Sequence, residues 1–398
     1  MPPAPAISRA LAPFGTTIFT VMTRRAVELG AVNLAQGFPD FEGPDFVKDA
    51  AAHALKAEHN QYAPMPGLPV LRRAIAARFT RMTGLPADPD ANVTVTSGCT
   101  EAIAASIFGL CNPGDEVVMF EPFYDSYRAS VAMAGCIGKF VALRPQPSGT
   151  GFGFDPAELR AAFSPRTRLV LLNTPHNPTG KVFTRLELEQ IAALCQEFGA
   201  NVVADEVYER LVFDPARLPH IHIASLSGMA ERTVTLSSLG KTFSLTGWKI
   251  GWSVAPAHLT AGIRAAHQFL TFSVPTPLQH AAAVALSREE EYVPSLVRDL
   301  AANRAVLSTE LTRLGFTVHP TDGTYFIMAD HAAISARLGL SDDIAFCNHL
   351  IENVGVAAIP PSVFYDRPAL GRSLVRFAFC KKPATIEAGI QRLATLKA

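Results

Sequence analysis

The strongest constraint on the fold is a series of short, nearly all-apolar runs: Asn92-Val93-Thr94-Val95-Thr96, Asp115-Glu116-Val117-Val118-Met119-Phe120, Arg168-Leu169-Val170-Leu171-Leu172-Asn173 and Asn201-Val202-Val203-Ala204-Asp205. Short runs this rich in valine and leucine are strands buried on both faces. Helical periods separate them. Ser97-Gly98 leads into a stretch with Ile103, Ile107 and Leu110 on one face, and Thr184 and Glu187 have the spacing of a capping box. Leu188, Ile191, Cys195 and Phe198 then share a helix face that Gly199 ends. This alternation predicts an α/β fold, with a large domain built on a mainly parallel central sheet and a smaller α+β domain beside it. Ligands gather at the carboxyl ends of such strands, where Gly98, Asn177 and Asp205 fall.

With 398 residues, 48% of them hydrophobic and 18% charged, the chain can fill a large core and divide in two. A helical pattern through Leu296, Leu300, Leu307, Leu311 and Leu314 stops at Gly315 and leads into strand-like runs at Thr324–Met328 and Leu374–Phe379. The expected division is residues 1–45 as an arm and part of the small domain, 46–293 as the large domain and 294–398 as the small C-terminal domain. Balanced charge, 35 basic against 35 acidic residues, leaves no footprint for nucleic acid or a membrane surface. The six cysteines lack C-x-x-C spacing and read as reduced thiols, and Met1–Gly15 lacks the apolar core of a signal peptide. A cytoplasmic enzyme is the expectation. No metal is expected: His220 and His222 are the only close histidine pair, and H-E-x-x-H and G-x-S-x-G are both absent.

Chemistry concentrates in Ser237-Ser238-Leu239-Gly240-Lys241-Thr242-Phe243, which runs on to Gly247-Trp248-Lys249-Ile250-Gly251-Trp252. Gly240-Lys241-Thr242 resembles the end of a P-loop, but the glycine required five residues earlier is Thr235. The flanking aromatics favour a buried segment over a hairpin with two solvated lysines. Lys241 and Lys249 would then each need a partner. Pyridoxal phosphate (PLP) could satisfy both, through a Schiff base on one lysine and a phosphate beside the other.

Asp205 closes an apolar strand, so its carboxylate needs a cation or becomes neutral. A protonated pyridine nitrogen would serve, although a helix N-cap is an ordinary role for such an aspartate. Tyr208, three residues on, could reach a ring hydroxyl. Asn177 sits in the rigid loop Asn173-Thr174-Pro175-His176-Asn177-Pro178-Thr179-Gly180, which taken alone is equally a plain turn. Ser97-Gly98-Cys99-Thr100 opens a helix whose free N–H groups suit a phosphate, Cys99 contributing backbone. Tyr124, in Pro122–Tyr127, could stack on a planar ring or simply fill a core. Arg376, apolar on both sides, calls for a carboxylate.

In this order the segments resemble the class I and II aminotransferases of PLP fold type I, over nearly the whole chain. Asn33–Phe41, Asn60–Tyr62, Glu121–Tyr127 and Asn173–Pro178 are most similar to the kynurenine, glutamine and methionine aminotransferase branch; N-succinyldiaminopimelate aminotransferases share much of this pattern. The resemblance implies that Lys241 carries PLP as a Schiff base and acts as general base, and that Asp205 pairs with the pyridinium. It places Asn177 and Tyr208 on the ring oxygen and Tyr124 against the ring. Ser238, Lys249 and the Cys99–Thr100 amides would hold the phosphate, joined by Tyr62 from the partner subunit of a homodimer. Arg376 and the Gly37 backbone would grip the substrate carboxylate, with Asn177 assisting.

Dicarboxylate-specific relatives carry an extra arginine in the region corresponding to His267–Pro277. None stands there in this chain, which favours a neutral, aromatic or sulfur-containing side chain with Phe272 lining its pocket. The branch often has a histidine where Ser273 stands. Competing expectations are N-succinyldiaminopimelate as substrate, a cysteine-S-conjugate β-lyase, and a PLP-sensing regulator. A regulator would need a DNA-binding module, and the residues before Gln36 do not read as one.

Overall fold

The apolar runs form a seven-stranded sheet in the computed structural model, which describes residues 7–397. Its strands are β1 (Val93–Ser97), β2 (Glu116–Glu121), β3 (Ile137–Ala142), β4 (Thr167–Asn173), β5 (Asn201–Asp205), β6 (Thr233–Ser238) and β7 (Ile250–Val254). They lie in the order β1-β7-β6-β5-β4-β2-β3, and β7 alone runs antiparallel to its neighbours. Period-two alternation sends Leu169 and Leu171 to one face of the sheet and Val170 and Leu172 to the other. Each set packs in its own core cluster, as expected for strands without a polar side.

The registers bring the site together. Asn173 lies opposite Asp205, so the ends of β4 and β5 coincide. β7 pairs Gly251 with Ser238 on one side and with Thr96 on the other. Because β7 runs backwards, its start meets the ends of β1 and β6, and this reversal carries Lys249 to the carboxyl edge. The sequence pattern did not reveal β7 as a strand, since glycine and serine interrupt its apolar run. β3 was also missed: it is an edge strand with Gly138 and Lys139 in place of an apolar run.

Helices named here are α1 (Ile18–Glu28), α2 (Gly98–Leu110), α3 (Asp125–Met133), α4 (Arg185–Phe198), α5 (Ala257–Leu270) and α6 (Glu289–Arg313). α4 has the predicted reciprocal cap between Thr184 and Glu187 and ends at Gly199 in the left-handed conformation. α2 and α5 cross backbone to backbone at Gly109 and Gly262. A Cβ on Gly109 would come within 2.2 Å of the Gly262 carbonyl oxygen.

A second sheet joins β8 (Thr317–Val318), β9 (Phe326–Asp330) and β10 (Leu374–Ala378), all antiparallel. Val32–Asn33 pairs in parallel with Val356–Ala357, which lays the segment before Gln36 beside this sheet. Beneath β6, Arg78 bridges Glu209 at 2.6 Å and Glu289 at 2.8 Å, and Ser237 donates to Glu209 at 2.8 Å. Breaking a buried ion pair of this kind costs about 3–5 kcal/mol. This pairing therefore fixes the strand end that carries Ser238.

Candidate active site

A cavity of about 270 Å³ opens at the carboxyl edge of the large sheet, and the second sheet contributes Phe326 and Arg376 to its wall. Lys241, Asp205, Tyr208, Asn177, Tyr124 and Arg376 all line it, as do Gly37, Cys99, Thr100, Ser238 and Lys249. The structure thus gathers these residues from distant parts of the chain. Tyr62 and Phe272 do not join them within the same chain. They meet edge to face, with centroids 5.5 Å apart, outside the cavity, and Tyr62 is 83% exposed.

Lys241 follows the end of β6 in a four-residue helical turn, and its Nζ donates to the Gly37 carbonyl oxygen at 3.4 Å. No carboxylate pairs with it among the described residues. Burial first, with Arg376 adding to it, lowers its pKa to about 8. An amine near this value releases and regains a proton close to neutrality. Lys249 departs from the expectation of a buried charge: it is exposed at the cavity rim, with Nζ 3.4 Å from Thr100 Oγ1. The start of β7 lies at the carboxyl end of the sheet, where the cavity opens, and Lys249 is exposed there.

Glycines shape the cradle beneath Lys249. Gly98 has φ +70°, and a Cβ there would sit 3.2 Å from Lys249 Nζ. On the facing strand, a Cβ at Gly251 would come within 2.6 Å of the Gly98 carbonyl carbon and 2.8 Å of the Cys99 nitrogen. The start of α2 can therefore approach β7 only because both positions lack side chains. Burial raises the Cys99 thiol well above its ordinary pKa, which leaves it inert.

Asp205 is 5% exposed and has no cationic partner within salt-bridge distance among the described residues. Tyr127 Oη donates to its Oδ2 at 2.5 Å and the Val207 amide lies 3.4 Å from its Oδ1. Burial outweighs these bonds and raises its pKa to about 6. A cation brought to this carboxylate would hold it ionised.

Arg376 is 1% exposed. It donates to Asn177 Oδ1 at 3.1 Å and to the Ala35 carbonyl at 2.8 Å, lies 4.1 Å over the Phe326 ring, and leaves Nε without a partner. Burial lowers its pKa to about 10. A buried guanidinium facing oxygens but no carboxylate is prepared for an anionic ligand. Tyr208 is buried edge-on to Tyr325, and burial pushes its phenol upward in pKa, so it stays protonated. Burial likewise pushes Tyr124 up to about 12.

Sequence reasoning missed Tyr127 and Tyr325. Tyr325 Oη donates to the Gly37 carbonyl at 2.6 Å, and Lys241 Nζ lies 5.6 Å from its ring centroid. Tyr127 stood within the Pro122–Tyr127 segment; Tyr124 is the N-cap of α3 and Tyr127 lies in its first turn, where the two rings meet edge to face with centroids 5.8 Å apart. Nothing in the sequence signalled Tyr325. Glu206, His220 and His222 also converge, with donor atoms within 4.8 Å. His222 Nδ1 meets Glu206 Oε2, and the two imidazoles hold the buried Glu206 carboxylate at a pKa of about 2. His222 is pulled upward in return by Glu206, against its own burial. Mutual neutralisation accounts for this buried carboxylate.

The model of the family "Aminotransferase class I and II" matches residues 30–393. A Mycobacterium tuberculosis protein named "Probable N-succinyldiaminopimelate aminotransferase DapC" is 49% identical over 395 residues, covering 97% of each chain. The methionine aminotransferase of Escherichia coli is 43% identical over 385 residues, covering 96% of each. The solved structure of N-succinyldiaminopimelate aminotransferase from Mycobacterium tuberculosis superposes with a TM-score of 0.94 at 48% identity, covering 98% of this chain and all of that one. The chain belongs to the class I and II aminotransferases, and its fold is that of PLP-dependent enzymes of this type. No helix among the described residues is long and apolar enough to cross a membrane.

Proposed function

We propose that this aminotransferase uses PLP held by the residues above, and that it moves the amino group of a neutral, aromatic or sulfur-containing α-amino acid to a 2-oxo acid. The observation carrying this reading is the pairing of one under-neutralised carboxylate with one amine of lowered pKa across a single cavity. Asp205 lacks a cation, which a pyridinium nitrogen would supply, while Lys241 lacks a carboxylate and is poised to lose its proton. The glycine-cleared start of α2 and Lys249 fit a phosphate, by backbone N–H groups and charge respectively. When bound, PLP supplies an electron sink that makes the proton on the substrate α-carbon acidic.

The chain's own groups do the rest. Arg376 and the Asn177 amide orient the substrate carboxylate, which fixes the α-carbon relative to Lys241. Lys241 Nζ is the group that takes the α-proton and holds it for return, a positioned proton transfer that contributes about 10²–10⁴-fold. Tyr325, by holding the Gly37 carbonyl, keeps the segment that roofs Lys241 in place. Tyr124 would cover the ring of the bound cofactor and Tyr208 would donate to its oxygen; both line the cavity. The partition into residues 1–45, 46–293 and 294–398 belongs to the same reading, as does a cytoplasmic homodimer in which Tyr62 of the partner subunit completes the phosphate site. The outward exposure of Tyr62, beside a partly exposed Phe272, supports that last point.

The substrate class rests on the lining of the cavity. Its only lysine or arginine residues among those described are Lys241, Lys249 and Arg376, each already assigned. A distal carboxylate would find no further cation from this chain, whereas Phe19, Phe38 and Phe326 offer apolar surface. Identity to the mycobacterial relative favours N-succinyldiaminopimelate as a second reading. With 2-oxoglutarate as acceptor, kcat/KM for methionine, glutamine and kynurenine should exceed that for N-succinyldiaminopimelate. The reverse order would transfer the assignment to the second reading.

A further inference from the structure

Glu101 raises an electrostatic problem at the start of α2. It stands in the first turn of the helix whose N-terminus, on the reading above, receives a phosphate dianion, and there an uncompensated carboxylate would repel the ligand. Both of its oxygens are committed. Oε2 accepts from the Ser97 amide, four residues back, and Oε1 lies 2.5 Å from Nδ1 of His267. His267 is fully buried on α5, carried there by the backbone crossing of Gly109 and Gly262.

The partners of the imidazole settle its hydrogen count. Nε2 lies 3.0 Å from the Met65 carbonyl oxygen, which can only accept, so Nε2 bears a proton. Nδ1 faces a carboxylate oxygen at hydrogen-bond distance, so one more proton lies between them. Whether that proton rests on the ring or on the acid, the pair as a whole carries no net charge. His267 thereby cancels Glu101 beneath the phosphate cradle.

The same stretch of chain ties down the loop that bears Tyr62. Thr276 Oγ1 donates to the Gln61 carbonyl at 2.5 Å, Ser273 Oγ to the Ala63 carbonyl at 3.0 Å, and His267 Nε2 to that of Met65. The carbonyls of residues 61, 63 and 65 are thus satisfied by side chains from residues 267–276. Tyr62 is held between the first two.

We propose that His267 is a positioning residue for phosphate recognition: it neutralises Glu101 at the start of α2 and fixes the Tyr62 loop, so that the cradle accepts a dianion. The inference rests on the assignment of that cradle to the PLP phosphate. Its test compares two ligands of one aldehyde and ring, PLP and pyridoxal, the latter lacking the phosphate. Dissociation constants for the PLP-free full-length protein are read by absorbance titration for the wild type, His267→Asn, and the double variant Glu101→Gln/His267→Asn. In His267→Asn the PLP constant should rise about tenfold or more while that for pyridoxal stays within about twofold. Removing the carboxylate in the double variant should recover most of the loss. Equal weakening of both ligands, or an unchanged preference for PLP, overturns the inference alone. A wild type that binds the two equally overturns the phosphate site and the inference with it. His267→Gln, checked for an unchanged thermal midpoint, replaces His267→Asn if the latter does not fold.

Discussion

Replacing Tyr127 by phenylalanine isolates the hydrogen bond that keeps Asp205 ionised. Asp205 is desolvated to a pKa of about 6, and the Tyr127 bond is the largest influence holding it from rising further. A hydrogen bond to a charged group contributes about 1.5–3 kcal/mol, so its loss should move the Asp205 midpoint upward by about 1 to 2 pH units. The sign follows from the charge. A neutral Asp205 cannot pair with a pyridinium, so affinity for PLP should fall as pH drops through the midpoint, and in Tyr127→Phe that fall begins at higher pH. At pH 7 the variant should bind PLP about 2- to 10-fold more weakly, converging on the wild type above pH ~9. The assay is a fluorescence titration of PLP-free protein at pH 5.5 to 9.5. The ratio of variant to wild-type constants cancels the titration of the cofactor itself. A ratio independent of pH would refute the reasoning, because it would show that Tyr127 acts by packing alone.

Other substitutions probe separate parts of the site. Arg376→Lys exchanges a planar fork for a point charge and should raise KM for amino donors by about 10-fold or more, the loss of roughly one charge-assisted hydrogen bond, read in steady-state kinetics. Gly251→Ala drives a methyl into the Gly98–Cys99 backbone; thermal unfolding should show a loss of about 1–3 kcal/mol, together with weaker PLP binding. Cys99→Ala should leave kcat within about twofold of the wild type and insensitive to thiol reagents, since the buried thiol is held protonated.

Much of the sheet was legible because its strands lack a polar face: Val170–Leu172 and Val202–Ala204 cannot be anything but interior. Gly98, Asn177 and Asp205 followed, because strand ends are where a parallel sheet exposes its ligand edge. β7 was not legible, since Gly251 and Ser253 erase the apolar signature and its reversal depends on pairing with strands far away in sequence. That reversal also explains the misjudged burial of Lys249, which sits at an edge that only the topology defines. Tyr325 and His267 were invisible for a related reason. Tyr325 acts through the Gly37 backbone carbonyl, and His267 through Glu101, 166 residues away, and the Met65 carbonyl; neither kind of partner leaves a mark beside the residue in sequence. Arg376 could be read as a carboxylate ligand from its apolar neighbours, but not its contact with Asn177, 199 residues away.

The central claim is that Lys241, rather than Lys249 or another lysine, bonds covalently to PLP. Borohydride reduction of the PLP-loaded protein, followed by digestion and mass spectrometry, locates that bond. The expected result is a reduced pyridoxyl-phosphate group on the peptide containing Lys241, in a stoichiometry approaching one per chain, and no label in Lys241→Ala. A label on Lys249, or none on the wild type, would contradict the assignment.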